Sequence, residues 1–257
     1  MSKLLTELSD HVLSLTLNYP EKHNAFDDNI LGMLDQALDE AQHNSDVRVI
    51  VLKANGRHFS AGADLAWMKR MVNLSEADNH ADALRFAHVL HKLYQIPKPT
   101  IALVQGATYG GGIGLIAACD IAFAAETAKF CFSEVSLGLI PAVISPYIIQ
   151  AIGARAATAL FLSAEVFHAP EAHRLQLIHT LVKEEDLLKL GLEHAKRLAH
   201  FPKQALQQAK SLVRTVQDQA INDTLLTQTA ELIAKIRVST EAQDALHLFL
   251  NQSSGTR

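Results

Sequence analysis

A glycine-rich segment directly follows a short apolar run near the middle of the chain. Residues 100–104 (TIALV) have the pattern of a buried strand, residues 106–114 (GATYGGGIG) contain five glycines, and residues 112–119 have an apolar helical pattern. A strand that enters a helix through glycines is typical of α/β folds. The first N–H groups of such a helix have no internal acceptor and stabilise negative charge. The segment therefore predicts an α/β fold with an anion-stabilising turn.

A second turn of the same kind occurs earlier in the chain. The β-branched run 47–52 leads through residues 54–56 into residues 58–65 (HFSAGADL), which also precede a predicted helix. Two backbone amides directed at one point would form an oxyanion hole, although both segments could equally be ordinary tight turns. A dinucleotide-binding fingerprint fails because its third glycine position falls on Leu115, and no Gly-Lys-Ser/Thr follows to form a Walker A loop.

The pattern of elements changes towards the carboxy terminus. Strands and helices alternate up to about residue 187, and only helical patterns follow. Because hydrophobic residues make up 49% of the chain and charged residues 19%, the sequence can bury a large core. We expect an α/β core over residues 1–190 and a helical region over residues 191–257, whose apolar stripe packs on the core or on another subunit.

Charge and composition narrow the classes of partner and site. A net charge of −4 without a dense Lys/Arg run argues against nucleic acid, and no apolar run approaches the roughly 18 residues of a membrane span. The amino terminus lacks the pattern of a signal peptide, so a cytoplasmic location is expected.

Three histidines on one predicted helix have neither an H-E-x-x-H pattern nor a matching carboxylate, and no metal site is expected. They are His80, His88 and His91.

Four ordered motifs give the chain a resemblance to a known family. They are residues 20–25 (PEKHNA), 59–65 (FSAGADL), 110–112 (GGG) followed by Cys119-Asp120, and 130–141 (FCFSEVSLGLIP). In order and spacing they resemble the crotonase (enoyl-CoA hydratase/isomerase) superfamily, and the resemblance covers nearly the whole chain. It implies a spiral of repeated ββα units with a C-terminal helical trimerisation region, assembled as a homotrimer or a dimer of trimers. It also implies a coenzyme A thioester as substrate and no permanently bound cofactor.

The resemblance assigns roles by position. The backbone N–H groups of Ala63 and Gly111 would form the oxyanion hole, and Glu134 would transfer a proton. The coenzyme A contacts would come from residues spread over the chain. They are Ala61, Asp64 and Leu65 along the adenine and pantetheine path, Lys22 near the nucleotide end, and Phe249 over the adenine. The last seven residues, 251–257, lack the basic ending usual in the family, which puts contacts to the phosphates from a neighbouring subunit in doubt.

Two positions depart from the family pattern. Gly114 stands where the hydratases of the family have a second glutamate, and residues 141–146 (PAVISP) replace a glycine-rich turn. With these features the chain resembles a bacterial branch of methylglutaconyl-CoA and carboxygeranoyl-CoA hydratases. The resemblance favours hydration of a branched or carboxylated 2-enoyl-CoA, for which Gly114 would leave room beside the thioester. A Δ3,Δ2-enoyl-CoA isomerase that uses the single Glu134, and a catalytically weak CoA-binding paralogue, are the alternatives.

Overall fold

The computed structural model describes residues 2–254, with side chains described up to residue 251. Nine strands and ten α-helices occur in this part of the chain, and the predicted α/β class is confirmed. The strands are β1 Leu4–Ser9, β2 Val12–Leu17, β3 Val49–Ala54, β4 Thr100–Val104, β5 Ala107–Tyr109, β6 Ile121–Ala125, β7 Lys129–Cys131, β8 Phe167–His168 and β9 Thr180–Val182. The helices are α1 Asp28–His43, α2 Leu65–Met71, α3 Glu76–Gln95, α4 Gly111–Ala118, α5 Ser145–Ser163, α6 Ala169–Arg174, α7 Leu187–Ala199, α8 Lys203–Val216, α9 Asp223–Arg237 and α10 Thr240–Ser254. Three short 3-10 helices cover Pro20–Lys22, Glu134–Leu137 and Glu184–Asp186.

Two sheets organise the α/β part. The larger has six strands in the order β1-β2-β3-β4-β6-β9, antiparallel between β1 and β2 and parallel elsewhere. Every residue of β4 is buried, as expected for a central parallel strand covered on both faces. The smaller sheet has the order β5-β7-β8. Because β4 and β5 are separated by only two residues, the glycine-rich turn lies where the chain passes from one sheet to the other.

Some elements differ from the sequence-based expectation. Strand β1 was not anticipated, whereas the helices after residue 198 agree with the helical region expected over residues 191–257. Helix α5 is kinked at Gly153, whose φ of 78° lies outside the helical region.

At the start of α1, Asp27 is the N-cap, because its side chain accepts a hydrogen bond from the N–H of Ile30 at 3.0 Å.

The chain divides into two compact units, one ending at Arg197 and the other beginning at Leu198. The first unit holds both sheets and α1 to α6, and the second holds α8 to α10. The proposed role of residues 191–257 in assembly stays a prediction. Within residues 2–254, no helix combines the length and the apolar character that crossing a membrane would require.

Candidate active site

The two glycine-containing loops lie side by side. Ser60 forms a parallel bridge with Thr108, and the N–H of Tyr109 donates to the carbonyl of Ser60 at 2.9 Å. Gly62 has a φ of +85°, and a β-carbon at this position would lie only 3.0 Å from the carbonyl oxygen of Tyr109. Glycine is therefore required at residue 62 both for its backbone conformation and for the close approach of the loops. Since Ala63 and Gly111 each follow a paired residue by three positions, the pairing brings together the two predicted oxyanion amides.

A buried polar pair holds the first loop in place. The Asn24 side-chain amide donates to the carbonyls of Asn55 and His58, both at 2.8 Å, and its oxygen accepts from the N–H of Tyr19. The hydroxyl of Ser60 donates to the carbonyl of Asn24 at 2.9 Å. Asn24 and Ser60 are both fully buried. Both residues belong to the sequence motifs described above, but the motifs do not indicate that these side chains hold the loop in place.

The amides of Ala63 and Gly111 have no hydrogen-bond acceptor within residues 2–254. Around Ala63, the N–H of Phe26 donates to Gly62 and the N–H of Asp64 donates to Phe26, so the neighbouring groups are paired and the Ala63 N–H is left over. Gly111 is the first residue of α4, where the N–H groups have no acceptor inside the helix. Two unpaired donors on adjacent loops can stabilise an oxyanion.

Glu134 lies at the start of the 3-10 helix that follows β7. Its Oε1 atom would be 2.8 Å from a β-carbon at Gly110, the residue just before α4. Its Oε2 atom is buried and has no hydrogen-bond partner among the described residues. Burial raises the pKa of this carboxyl group above its ordinary value, because the charged form is poorly solvated. A raised pKa brings a carboxyl group closer to the range in which general acid–base groups work.

The space expected beside Gly114 is filled. A β-carbon at this position would lie 2.9 Å from Cβ of Ile144, closer still to its Cγ2 methyl group, and 3.6 Å from Cδ1 of Leu90. Ile144 is 2% exposed and Leu90 is fully buried. The expectation that Gly114 leaves room for a bulky acyl group is therefore wrong, because the hydrocarbon of Ile144 takes up that volume. Nothing in the sequence of α4 indicates this packing partner, which comes from the segment just before α5.

The other predicted coenzyme A residues have separate structural environments. Asp64 is the N-cap of α2, since its Oδ1 accepts from the N–H groups of Ala66 and Trp67. Lys22 lies 3.8 Å from the other oxygen of Asp64, and its side chain is half exposed. Leu65 is 72% exposed and is therefore available to a ligand.

Ala61 lies in a groove of about 470 Å3 that is lined by basic side chains and by the acidic Glu184. Its N–H donates to the carbonyl of His23 at 2.8 Å, while Arg57, His58 and Lys129 also line the groove. Burial and the positive charges of His23, Arg57 and Lys129 lower the pKa of His58. The sequence did not indicate this group of charged side chains, because its members are far apart in the chain.

Two expectations concern the second unit. Phe249 lies on α10 and is 65% exposed, and its proposed contact with adenine stays a prediction. Residues 255–257 belong to the C-terminal segment that lacks the family's usual basic ending, and they lie outside the described part of the chain. Within the described residues there is no group of three or more His, Cys, Asp or Glu side chains that could hold a metal ion.

Comparisons with known proteins give a consistent result. The family model "Enoyl-CoA hydratase/isomerase" matches residues 7–255. A solved structure from Legionella pneumophila, provisionally described as an enoyl CoA hydratase/isomerase (crotonase), is 51% identical, with a TM-score of 0.96 over 98% of this chain and 97% of that one. An enoyl-CoA hydratase from Shewanella pealeana is 42% identical, with a TM-score of 0.93 over 98% and 94% of the two chains. The 2,3-dehydroadipyl-CoA hydratase of Escherichia coli is 30% identical over 98% of this chain and 97% of that protein.

Proposed function

The chain belongs to the enoyl-CoA hydratase/isomerase family, and from this premise we propose that it adds water to, and removes it from, a branched or carboxylated 2-enoyl-CoA such as 3-methylglutaconyl-CoA. The observation that carries the proposal is the combination of two unpaired N–H groups, at Ala63 and Gly111, with the half-buried Glu134. The names of the similar proteins from Shewanella and Escherichia support hydration as the reaction.

The two amides would act on the thioester oxygen. Negative charge develops on this oxygen when a proton leaves C2, or when water adds to C3 of the conjugated double bond. Fixed N–H donors stabilise that charge without rearrangement, and loss of one such donor costs on the order of 3 kcal/mol of barrier. Because Gly111 is the first residue of α4, the positive end of the helix dipole would also stabilise the negative charge to which its N–H donates.

Glu134 would carry the proton. In hydration, its protonated carboxyl group gives a proton to C2 as water oxygen bonds to C3, and the proton lost by water restores the carboxyl group through solvent. In dehydration the same steps run in reverse. The raised pKa of Glu134 supports this role, because it brings the carboxyl group closer to the range in which one group can both donate and accept a proton.

Isomerisation between 3-enoyl-CoA and 2-enoyl-CoA is the second candidate, and Ile144 favours it. The carboxylate of Glu134 would take a proton from C2 to give a dienolate, and return it at C4 so that the double bond lies between C2 and C3. This reaction needs one carboxylate and no water. A hydrocarbon side chain where other hydratases have their second glutamate is compatible with it.

A direct assay distinguishes these reactions. Crotonyl-CoA, a 3-enoyl-CoA and 3-methylglutaconyl-CoA are each added to the purified protein, and the conjugated thioester double bond is followed by its absorbance. Loss of absorbance with a 2-enoyl substrate indicates hydration, and a gain with the 3-enoyl substrate indicates isomerisation. No change with all three would contradict both and would favour a CoA-binding paralogue.

We also propose that residues 191–257 assemble the protein into trimers or pairs of trimers. The second unit has an apolar groove of about 280 Å3 between α8 and α9, lined by Leu212 and Ile233 among others. Both side chains are at least one third exposed. Burial of such a surface in an interface would be favourable. Light scattering coupled to size-exclusion chromatography would test this, and a monomer at micromolar concentration would contradict it.

A further inference from the structure

Position 114 and Ile144 form a complementary pair in the core of the first unit. Gly114 is buried on α4, and Ile144, just before α5, provides the two atoms nearest to a β-carbon at position 114. Any side chain at position 114 would therefore have to displace a buried isoleucine. Side chains in a close-packed interior cannot move aside without a loss of stability.

The same chain segment carries Glu134. After the 3-10 helix Glu134–Leu137 the chain turns at Gly138, where φ is +72°, and the N–H of Leu139 donates to the carbonyl of Glu134 at 3.0 Å. It then reaches Ile144, whose carbonyl accepts from the N–H groups of Tyr147 and Ile148 in the first turn of α5. Glu134 contacts Gly110 at the start of α4, and Ile144 contacts Gly114 one turn further along. The segment 134–144 therefore places a carboxyl group next to the start of α4 and a hydrocarbon group next to its following turn.

We propose that Ile144 is a specificity-determining residue of the acyl site. Its hydrocarbon side chain fills the volume that a second carboxylate, carried by a side chain at position 114, would need. This inference rests on the proposed function for its chemical meaning. Apolar atoms at this place leave Glu134 without a second acid-base group on α4 and offer no hydrogen bond to water. They restrict the enzyme to acyl groups and reactions that Glu134 can serve alone.

The packing part of the proposal can be tested without any activity. Gly114→Ala should lower the melting temperature by about 3–10 °C, as expected for overpacking in a protein of this size. Adding Ile144→Ala removes the nearest atom, Cγ2, but keeps Cβ at 2.9 Å, so it should recover part of that loss, and the double variant should melt above the value expected from the sum of the two single changes. Gly112→Ala is the matched control, because its β-carbon would meet Ser60 at 2.9 Å and Thr108 at 3.0 Å. Ile144→Ala should not rescue that variant. Equal or no rescue of both glycine variants would overturn the proposal.

The specificity part is tested with a second pair of variants. Gly114→Glu alone should lower kcat/KM for 2-enoyl-CoA hydration at least tenfold, because the new side chain displaces Ile144. Gly114→Glu with Ile144→Ala should hydrate crotonyl-CoA at least tenfold faster than Gly114→Glu alone. In that double variant the introduced carboxylate would accept the proton of water while Glu134 donates to C2, so the ratio of hydration to isomerisation should also rise above that of the parent.

The two tests separate the possible failures. If the melting experiment shows specific rescue but the double variant gains no hydration, Ile144 fills the volume without determining specificity, and the proposal is overturned. If the parent acts on none of the acyl-CoA substrates, the proposed function fails, while the melting experiment still decides the packing. If the melting and hydration predictions all hold, Ile144 is assigned the role proposed here.

Discussion

Glu134 lies directly against Gly110, with its Oε1 atom 2.8 Å from the place that a β-carbon on Gly110 would occupy. The φ of Gly110 is +49°, a backbone conformation that residues with side chains rarely adopt. Its N–H donates to the carbonyl of Cys131 at 3.0 Å, which ties the turn before α4 to the strand before Glu134. The turn and the carboxyl group are therefore positioned by each other.

Gly110→Ala should lower kcat by about two decades or more, because the new methyl group displaces the Glu134 carboxyl from its position. Gly153→Ala is a suitable control, since Gly153 also has a positive φ, of 78°, but no atom lies within 4 Å of its would-be β-carbon. Both variants should lose stability through backbone strain. Steady-state kinetics would measure kcat of both variants, and thermal melting would measure their loss of stability. An equal fractional loss of kcat in the two variants would contradict the prediction.

Glu134→Gln should reduce turnover by about two to four decades while leaving binding of coenzyme A nearly unchanged. The change removes the proton carrier but keeps the shape of the side chain. Glu7→Gln, on the exposed face of β1, controls for the loss of one carboxylate. Activity is measured with the substrate identified in the absorbance assay, and binding by calorimetry. A Glu134→Gln variant within threefold of the parent would mean that Glu134 has only a structural role.

The raised pKa of Glu134 also predicts a pH-dependent stability. Below its ordinary value of 4.5 this group is protonated in both the folded and the unfolded chain. As the pH rises from there through the higher folded pKa, the unfolded chain releases the proton first, and the folded state loses stability. Glu134→Gln removes this penalty, so its gain in melting temperature should be larger at about pH 8 than at about pH 4. A gain that is the same at both values would contradict the raised pKa.

Gly111 allows the role of a single N–H to be isolated. Gly111→Pro deletes the donor, and Gly111→Ala retains it, while both place a β-carbon within 3.0 Å of the Phe26 and Phe86 rings. Proline is tolerated at the first position of a helix, so the two variants should differ mainly in the hydrogen bond. We expect kcat of the proline variant to be lower by about 100- to 1,000-fold than that of the alanine variant. Equal kcat values in folded protein would remove this amide from the mechanism.

Lys22 should contribute to the affinity for the nucleotide part of the substrate. Its ion pair with Asp64 is long, at 3.8 Å, and half exposed, so a phosphate group can compete for it at little cost. Lys22→Ala should raise KM for crotonyl-CoA by about three- to tenfold. KM for the truncated thioester crotonyl-N-acetylcysteamine, which has no phosphate, should not change. Similar increases for both substrates would indicate a general effect on the loop instead.

Local patterns predicted much of the fold. The bounds of β4 agree with the strand predicted over residues 100–104, because a short apolar run between turn residues is a strong signal. Strand β1 was missed because its hairpin turn is Asp10-His11, with φ values of 50° and 63°, where glycine or asparagine is more usual. The contact between Gly114 and Ile144 could not be predicted, since a glycine does not indicate which distant side chain takes up the volume beside it.

Glu134 and Ile144 lie in one short segment of the chain, whereas Ala63 and Gly111 lie on two separate loops. The proposed oxyanion amides, of Ala63 and Gly111, depend on two loops and the bridge between Ser60 and Thr108, so they are difficult to alter without loss of the fold. The carboxyl group and the hydrocarbon group over α4 instead lie within eleven consecutive residues. Exchange of residues 114–144 between relatives as one segment would move position 114, Glu134 and Ile144 together. If the proposed function holds, new reactions could then arise while the loops that carry Ala63 and Gly111 stay unchanged.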